Sequence, residues 1–178
     1  MIGPIGYGSL VIALVISLLG VVASIYGQRI HSNAMLETAR RAALVTFPLL
    51  SLSIAALLVL LVSGHFEYTY VYQTTDLSMP FYLKLAALWG GQEGSLLFWC
   101  WLLSGFMFLT LMRKWKSDHD LLPWVIAITS FILFFFLILV LFFENPFNRY
   151  FITMDGDVVS SLFPPMMSLQ ANPTDGNG

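Results

Sequence analysis

Four long apolar blocks separated by shorter polar connections organise this chain. They run from about Gly6 to Tyr26, Ala42 to Ser63, Ser95 to Met112 and Trp124 to Phe143. None shows the alternation of a half-buried strand or the polar face of an amphipathic helix. Each is close to the ~20 residues that a helix needs to cross a hydrocarbon core of ~30 Å. Backbone groups in lipid must be satisfied within the segment, and the blocks exceed the ~10 residues of a barrel strand, so they predict helices. The expected fold is therefore an all-α integral membrane protein. Its four transmembrane helices occupy residues 1–144, and a tail follows over residues 145–178.

The longest connection, His65 to Glu93, is rich in aromatic and polar residues. Ser78-Met79-Pro80 reads as a helix start, with Ser78 as cap and Pro80 in the first turn. A short helix lying on the membrane surface is expected over about residues 80–89, broken by Gly90-Gly91 before the third span. Tyr68, Tyr70, Tyr72 and Tyr82 suit the headgroup layer, which accommodates an aromatic body and a polar tip.

Composition sharpens the class. Charged residues make up 10% of the chain, against about 25% in a soluble domain. The net charge of −2 gives no basic surface for nucleic acid. Cys100 is the single cysteine and lies inside an apolar block, which excludes an internal disulfide or a CxxC pair; it reads as a small packing residue.

Charge also sets an orientation. Arg29, Arg40 and Arg41 lie in the first connection, and Arg113, Lys114 and Lys116 in the third, so six of the 8 basic residues share one face of a four-helix path. The positive-inside rule makes that face cytoplasmic and both termini outer. No Lys or Arg precedes the first apolar run, so a retained helix fits better than a cleaved signal peptide.

The stretch from Trp89 to Trp99, WGGQEGSLLFW, carries the most information. On a helix, Trp89, Gln92, Leu96 and Trp99 share a stripe. Gly90 with Gly94, and Gly91 with Ser95, form small-xxx-small pairs that let membrane helices approach closely. Glu93 stands at the entrance to an apolar span, where a carboxylate should face protein, water or a helix N-terminus. The spacing fits an interfacial Glu beside a glycine-rich helix contact. It equally fits a close-packed entry that shapes a cavity for a flat apolar ligand.

The same stretch resembles the signature Trp-Gly-x-x-Glu-Gly-Ser-x-Leu-x-Trp of CcmF-type cytochrome c haem lyases, in the superfamily that includes CcsA/ResC and NrfE. Glu144-Asn145-Pro146-Phe147-Asn148-Arg149 is similar to the family's Asn-Pro-Phe-x-Arg segment after the fourth helix. Asn172 to Gly178 resembles its Asp-Gly stretch, and the opening Met1-Ile2-Gly3 and the helix spacing are similar as well. The resemblance implies haem as cofactor, received from the chaperone CcmE and attached to apocytochrome c with a CcmH-type thiol protein, at the outer face of the bacterial inner membrane. It also implies a site of Trp89, Gly90, Gly91, Glu93, Gly94, Ser95 and Trp99. The glycines and Ser95 would set close contact, the tryptophans an aromatic wall, and Glu93 would hold the bent entry through hydrogen bonds.

The family's haem segment, Trp-Gly-x-x-Trp-x-Trp-Asp, is absent: Trp89-Gly90-Gly91 begins like it but continues Gln92-Glu93. The expectation is an N-terminal part of a CcmF-like protein, as a split subunit or a truncated product. It would lack lyase activity alone, and the haem's axial ligands would lie outside this chain. The alternative is a non-catalytic membrane anchor of a respiratory or transport complex.

Other residues add little. His31 and His119 fall on the expected cytoplasmic side, and His65, on the outer side, reads as a polar anchor. No His pair has helical spacing within one span. Asp118, His119 and Asp120 read as a solvated turn, and Asp155, Asp157 and Asp175 are too dispersed for a calcium loop. Met166-Met167 is a weak soft-metal signal. Phe134 to Phe136, Phe142 and Phe143 read as lipid-facing or packed bulk. No nucleophile, phosphate-loop or zinc pattern appears, so neither a catalytic residue nor a metal site is expected.

Overall fold

The computed structural model describes residues 2–112, 121–153, 158–162 and 168–169. Four helices in it are long and apolar enough to cross a membrane: α1 (Ile2–Arg29), α2 (Asn33–Ser63), α5 (Gln92–Met112) and α6 (Leu122–Phe142). Between α2 and α5 lie two short helices, α3 (Thr69–Thr74) and α4 (Phe81–Ala86), the latter continued by a 3-10 turn over Ala87–Trp89. The Lys114–Asp120 cluster, Asp155, Asp157, the Met166-Met167 pair and Asn172 to Gly178 fall outside the described residues.

The long helices start earlier than their apolar blocks. α2 begins at Asn33, and its solvated first turns carry Glu37 beside Arg40 (3.9 Å) and Arg41 (3.2 Å). Such i,i+3 and i,i+4 pairs support helix beyond the hydrocarbon. α2 runs through Pro48, which has no N–H for the preceding turn. It ends where Gly64 turns left-handed (φ 67, ψ 45) and its N–H bonds the Leu60 carbonyl.

A seam of mostly small residues lets α1 pack closely. Gly3, Gly6, Leu10, Ala13, Ser17, Gly20, Ser24 and Gly27 are all buried, at alternating intervals of three and four. Two helices can then nearly touch, and van der Waals contact replaces the hydrophobic drive that lipid does not supply. A Cβ at Gly20 would come within 3.0 Å of the Ser130 hydroxyl on α6, and Ser24 Oγ donates to the Pro123 carbonyl at 2.5 Å. Leu50, Leu57, Leu97, Leu133 and Leu137 fill the space between helices. Phe135, Phe142 and Phe143 face outward, as an aromatic lipid-facing surface requires.

Two expectations need correcting. Ser78 is not the cap of α4: Pro80 takes that place, and the Ser78 N–H faces Asp76 Oδ1 at 3.4 Å. Tyr72 and Tyr82 are exposed, but Tyr68 and Tyr70 are buried at 2% and 1% exposure. The Tyr68 ring lies against Gly3 of α1 and the Tyr70 ring against Gly91 and Gly94, which turns both inward.

After α6 the chain forms a small antiparallel sheet, which the apolar pattern did not predict. Its order is β2-β1-β3, with β1 (Arg149–Thr153) central between β2 (Val158–Ser161) and β3 (Ser168–Leu169). β1 is stitched to the connection after α2: Thr69 N–H donates to the Asn148 carbonyl at 2.9 Å, and Tyr150 N–H to the Glu67 carbonyl at 3.2 Å. Asn145 Oδ1 accepts the Phe147 N–H at 3.0 Å, fixing the turn that drives the Phe147 ring against Gly6 of α1.

Candidate functional site

The WGGQEGS stretch becomes a bent entry into α5. The 3-10 turn closes with the Gly90 N–H on the Ala87 carbonyl (3.1 Å), and α5 opens with the Ser95 N–H on the Gly91 carbonyl (3.1 Å). Gly90-Gly91 sits at the break, Gly90 with ordinary helical backbone (φ −76, ψ −19) and Gly91 where a Cβ would meet the Tyr70 ring at 2.8 Å.

Tyr70 holds this bend from beneath. Its hydroxyl faces the Ala87 carbonyl at 2.6 Å and the Leu88 carbonyl at 3.1 Å, and shares its one proton between them. The phenol lies against Gly91 and Gly94, where a Cβ at Gly94 would collide with both the Tyr70 hydroxyl and the Leu88 carbonyl. Burial pushes the phenol up to about 12; the Gly91 and Gly94 N–H groups pull the other way, and the Glu93 carboxylate adds to the rise. The small residues thus make room for a tyrosine and a carbonyl, not for a second helix backbone.

The residues singled out by the motif divide into three groups. Gly91, Gly94 and Ser95 belong to the clamp, Ser95 through its hydroxyl, which donates to the Trp89 carbonyl at 3.1 Å. Glu93 is half-buried in the first turn of α5, where the helix dipole favours a carboxylate. Its expected hydrogen bonds are not made among the described residues; Ser95 and Tyr70 hold the bend instead. Trp89 and Trp99 are exposed by 56% and 65%, and Gly90 borders only its own turn.

Trp89 heads a ladder of rings that runs along α5 and crosses to α2. Its ring meets Phe98 at 5.8 Å, Phe98 stacks on Trp101 at 5.9 Å, Trp101 tilts onto Phe47 at 5.9 Å, and Phe47 onto Phe108 at 5.1 Å. Trp101 is fixed by its indole N–H, which donates to Ser51 Oγ at 2.9 Å. Beside the ladder, Phe47, Trp101, Gly105 and Phe108 border an apolar groove of about 260 Å³. Trp99 points away, so the aromatic wall consists of Trp89, Phe98, Trp101, Phe47 and Phe108. The motif reading missed its lower half because Phe47 lies far away in sequence.

A flat apolar cofactor such as haem would find ring surface along this ladder. His31 and His65 are exposed, in separate connections, and no group of three metal-ligating side chains occurs among the described residues. Cys100 is buried inside α5. Among the described residues, the ring ladder is the surface on which a flat apolar group would fit.

No family model matches the chain. It is 31% identical to the cytochrome c-type biogenesis protein CcmF of Haemophilus influenzae over 85% of its length, and 33% identical to the CcmF of Escherichia coli over 84%. The probable cytochrome c-type biogenesis protein NrfE of Escherichia coli is 34% identical over 70%. In each case the chain spans 23% of the relative's own length. A solved structure of a cytochrome c haem lyase CcmF shares the fold, with a TM-score of 0.78 at 24% identity, covering 83% of this chain and 25% of the other.

Proposed function

Because the chain belongs, over the stretch it spans, to the CcmF-type family of cytochrome c biogenesis proteins, we propose that it serves as the N-terminal four-helix part of a haem lyase. In this reading the assembled lyase receives haem from a chaperone of the CcmE type. It attaches the haem to apocytochrome c with a CcmH-type thiol protein, at the outer face of the bacterial inner membrane. The N-terminus and the segment after α6 lie on that outer side.

One observation carries the reading: the motif most similar to the family's is the segment that folds into the Tyr70 clamp and heads the aromatic ladder. This chain's own work is positional. The clamp sets the angle at which the connection enters α5, and the ladder presents a rigid ring surface that excludes water. Haem, when bound, supplies the vinyl groups that accept cysteine thiols; the residues that grip its iron belong to the rest of the lyase. The relatives named above are all cytochrome c biogenesis proteins, which favours this reading over a respiratory or transport anchor.

Affinity purification of the tagged chain from native membranes tests this, with haem absorbance and mass spectrometry of co-purifying proteins. A haem-bearing, tryptophan-rich membrane partner together with a haem chaperone is the expected recovery. Respiratory or transport subunits without haem would overturn it.

A further inference from the structure

A cleft of about 270 Å³ opens at the end of the bundle where α1 begins. Pro4 and Tyr7 of α1, Phe147 and Leu162 form its apolar walls, and Tyr68 and Arg149 its polar corner. Gly3 leaves the room, since a Cβ there would run into the Tyr68 phenol. The Arg149 guanidinium is held over the Tyr68 ring, 4.7 Å from its centroid, and Nη2 donates to the Tyr68 hydroxyl at 2.5 Å.

The guanidinium is positioned but only loosely neutralised. Glu67 Oε1 stands 3.7 Å from the same Nη2, beyond hydrogen-bond reach, and both side chains are partly exposed (25% and 34%). Tyr68 and Glu67 share one nitrogen, so among the described residues the Nε and Nη1 N–H groups remain for other acceptors, in the fork geometry that matches phosphate and carboxylate oxygens.

Depth in the bilayer selects among anions. The 28 residues of α1 span about 42 Å at 1.5 Å per residue, longer than the ~30 Å hydrocarbon core. The apolar block of α1 begins at about Gly6, so Gly3 and Pro4, and the cleft with them, come before it, where the lipid phosphates begin. Beneath the cation the walls are apolar, as an acyl-glycerol stem requires.

We propose that this cleft binds the phosphodiester headgroup of an anionic membrane lipid, with Arg149 as the anion-binding residue. The lipid ties the start of α1 to the segment after α6. Glu67 opposes it as the competing carboxylate.

The test is native mass spectrometry of the full chain released from nanodiscs of phosphatidylcholine containing phosphatidylglycerol. The wild type should retain one phosphatidylglycerol. Arg149→Gln should retain it about tenfold less, the equivalent of one charge-assisted contact. Glu67→Gln should retain more, and Arg41→Gln, on an exposed turn of α2, the same as wild type. The Glu67 variant keeps the test decisive if Arg149→Gln fails to fold, because a purely structural role for the cluster predicts no gain. Equal retention in wild type and both cleft variants would overturn the proposal. Displacement of the lipid by soluble glycerol phosphate at equal concentration would overturn the lipid assignment.

Discussion

The Tyr70 hydroxyl occupies the volume that any side chain at position 94 would need. A residue from a six-residue helix thereby dictates glycine in the first turn of α5.

Gly94→Leu should break the entry into α5, because the Leu88 carbonyl and the Tyr70 ring cannot both retreat. Overpacking of this kind costs about 1–3 kcal/mol or more. A lower melting temperature in detergent is expected and, on the proposed function, loss of the proteins that co-purify from native membranes. Wild-type melting and wild-type recovery of partners would remove the clamp from the assembly.

Tyr70→Phe deletes only the hydroxyl: the Leu88 carbonyl loses its phenol partner, and the Ala87 carbonyl keeps only the Gly90 N–H. A buried acceptor left so costs about 1–3 kcal/mol. The folded phenol is pushed up to about 12, above its ordinary value of about 10. The fold thus favours the neutral form, and the stabilisation is complete below pH ~10 and lost as pH rises towards ~12. Subtracting the 295 nm titration of Tyr70→Phe from that of the wild type isolates this phenol. A phenolate appearing near pH 10 in the folded protein would contradict the burial argument.

Trp101→Phe keeps the ring ladder but removes the indole donor to Ser51. It should cost about 1 kcal/mol, the net worth of one hydrogen bond. Trp101→Ala severs Phe98 from Phe47 and should cost about 3–5 kcal/mol. Chemical denaturation of the two variants in one detergent compares them; equal losses would mean that the rings contribute nothing.

Gly20→Val should separate α1 from α6, since its Cβ arrives within 3.0 Å of the Ser130 hydroxyl and the Ala42 methyl lies next in line. Faster proteolysis of the bundle and a lower melting temperature are expected. Gly8→Val, where nothing lies within 4 Å of the added carbon, is the control.

Sequence patterning exposed the parts of this fold that depend on composition over many residues. The four apolar blocks have a local cause in hydropathy, and the short helix ending at Trp89 has one in the Pro80 that opens it. Long-range geometry was hidden. Nothing near Tyr70 signals that its hydroxyl reaches Leu88, and nothing near Phe47 signals that Trp101 lies on it. The small-xxx-small rule pointed to the right residues, Gly91, Gly94 and Ser95, and to the wrong neighbour. Glycine records that something approaches closely but not what it is. The sheet after α6 escaped because its strands are too short for a periodic signal.

The pairing of Tyr68 with Arg149 also constrains the order of events during biosynthesis. Residue 67 leaves the second crossing and residue 149 follows the fourth, so an even number of passages separates two segments that end hydrogen-bonded together. The bond cannot form until both α5 and α6 have been threaded and the chain has returned to the side where the second crossing finished. Closure of this stitch therefore acts as a receipt for completed insertion. A chain with either crossing skipped would deliver Arg149 to the opposite face and leave Glu67 and Tyr68 without their partner.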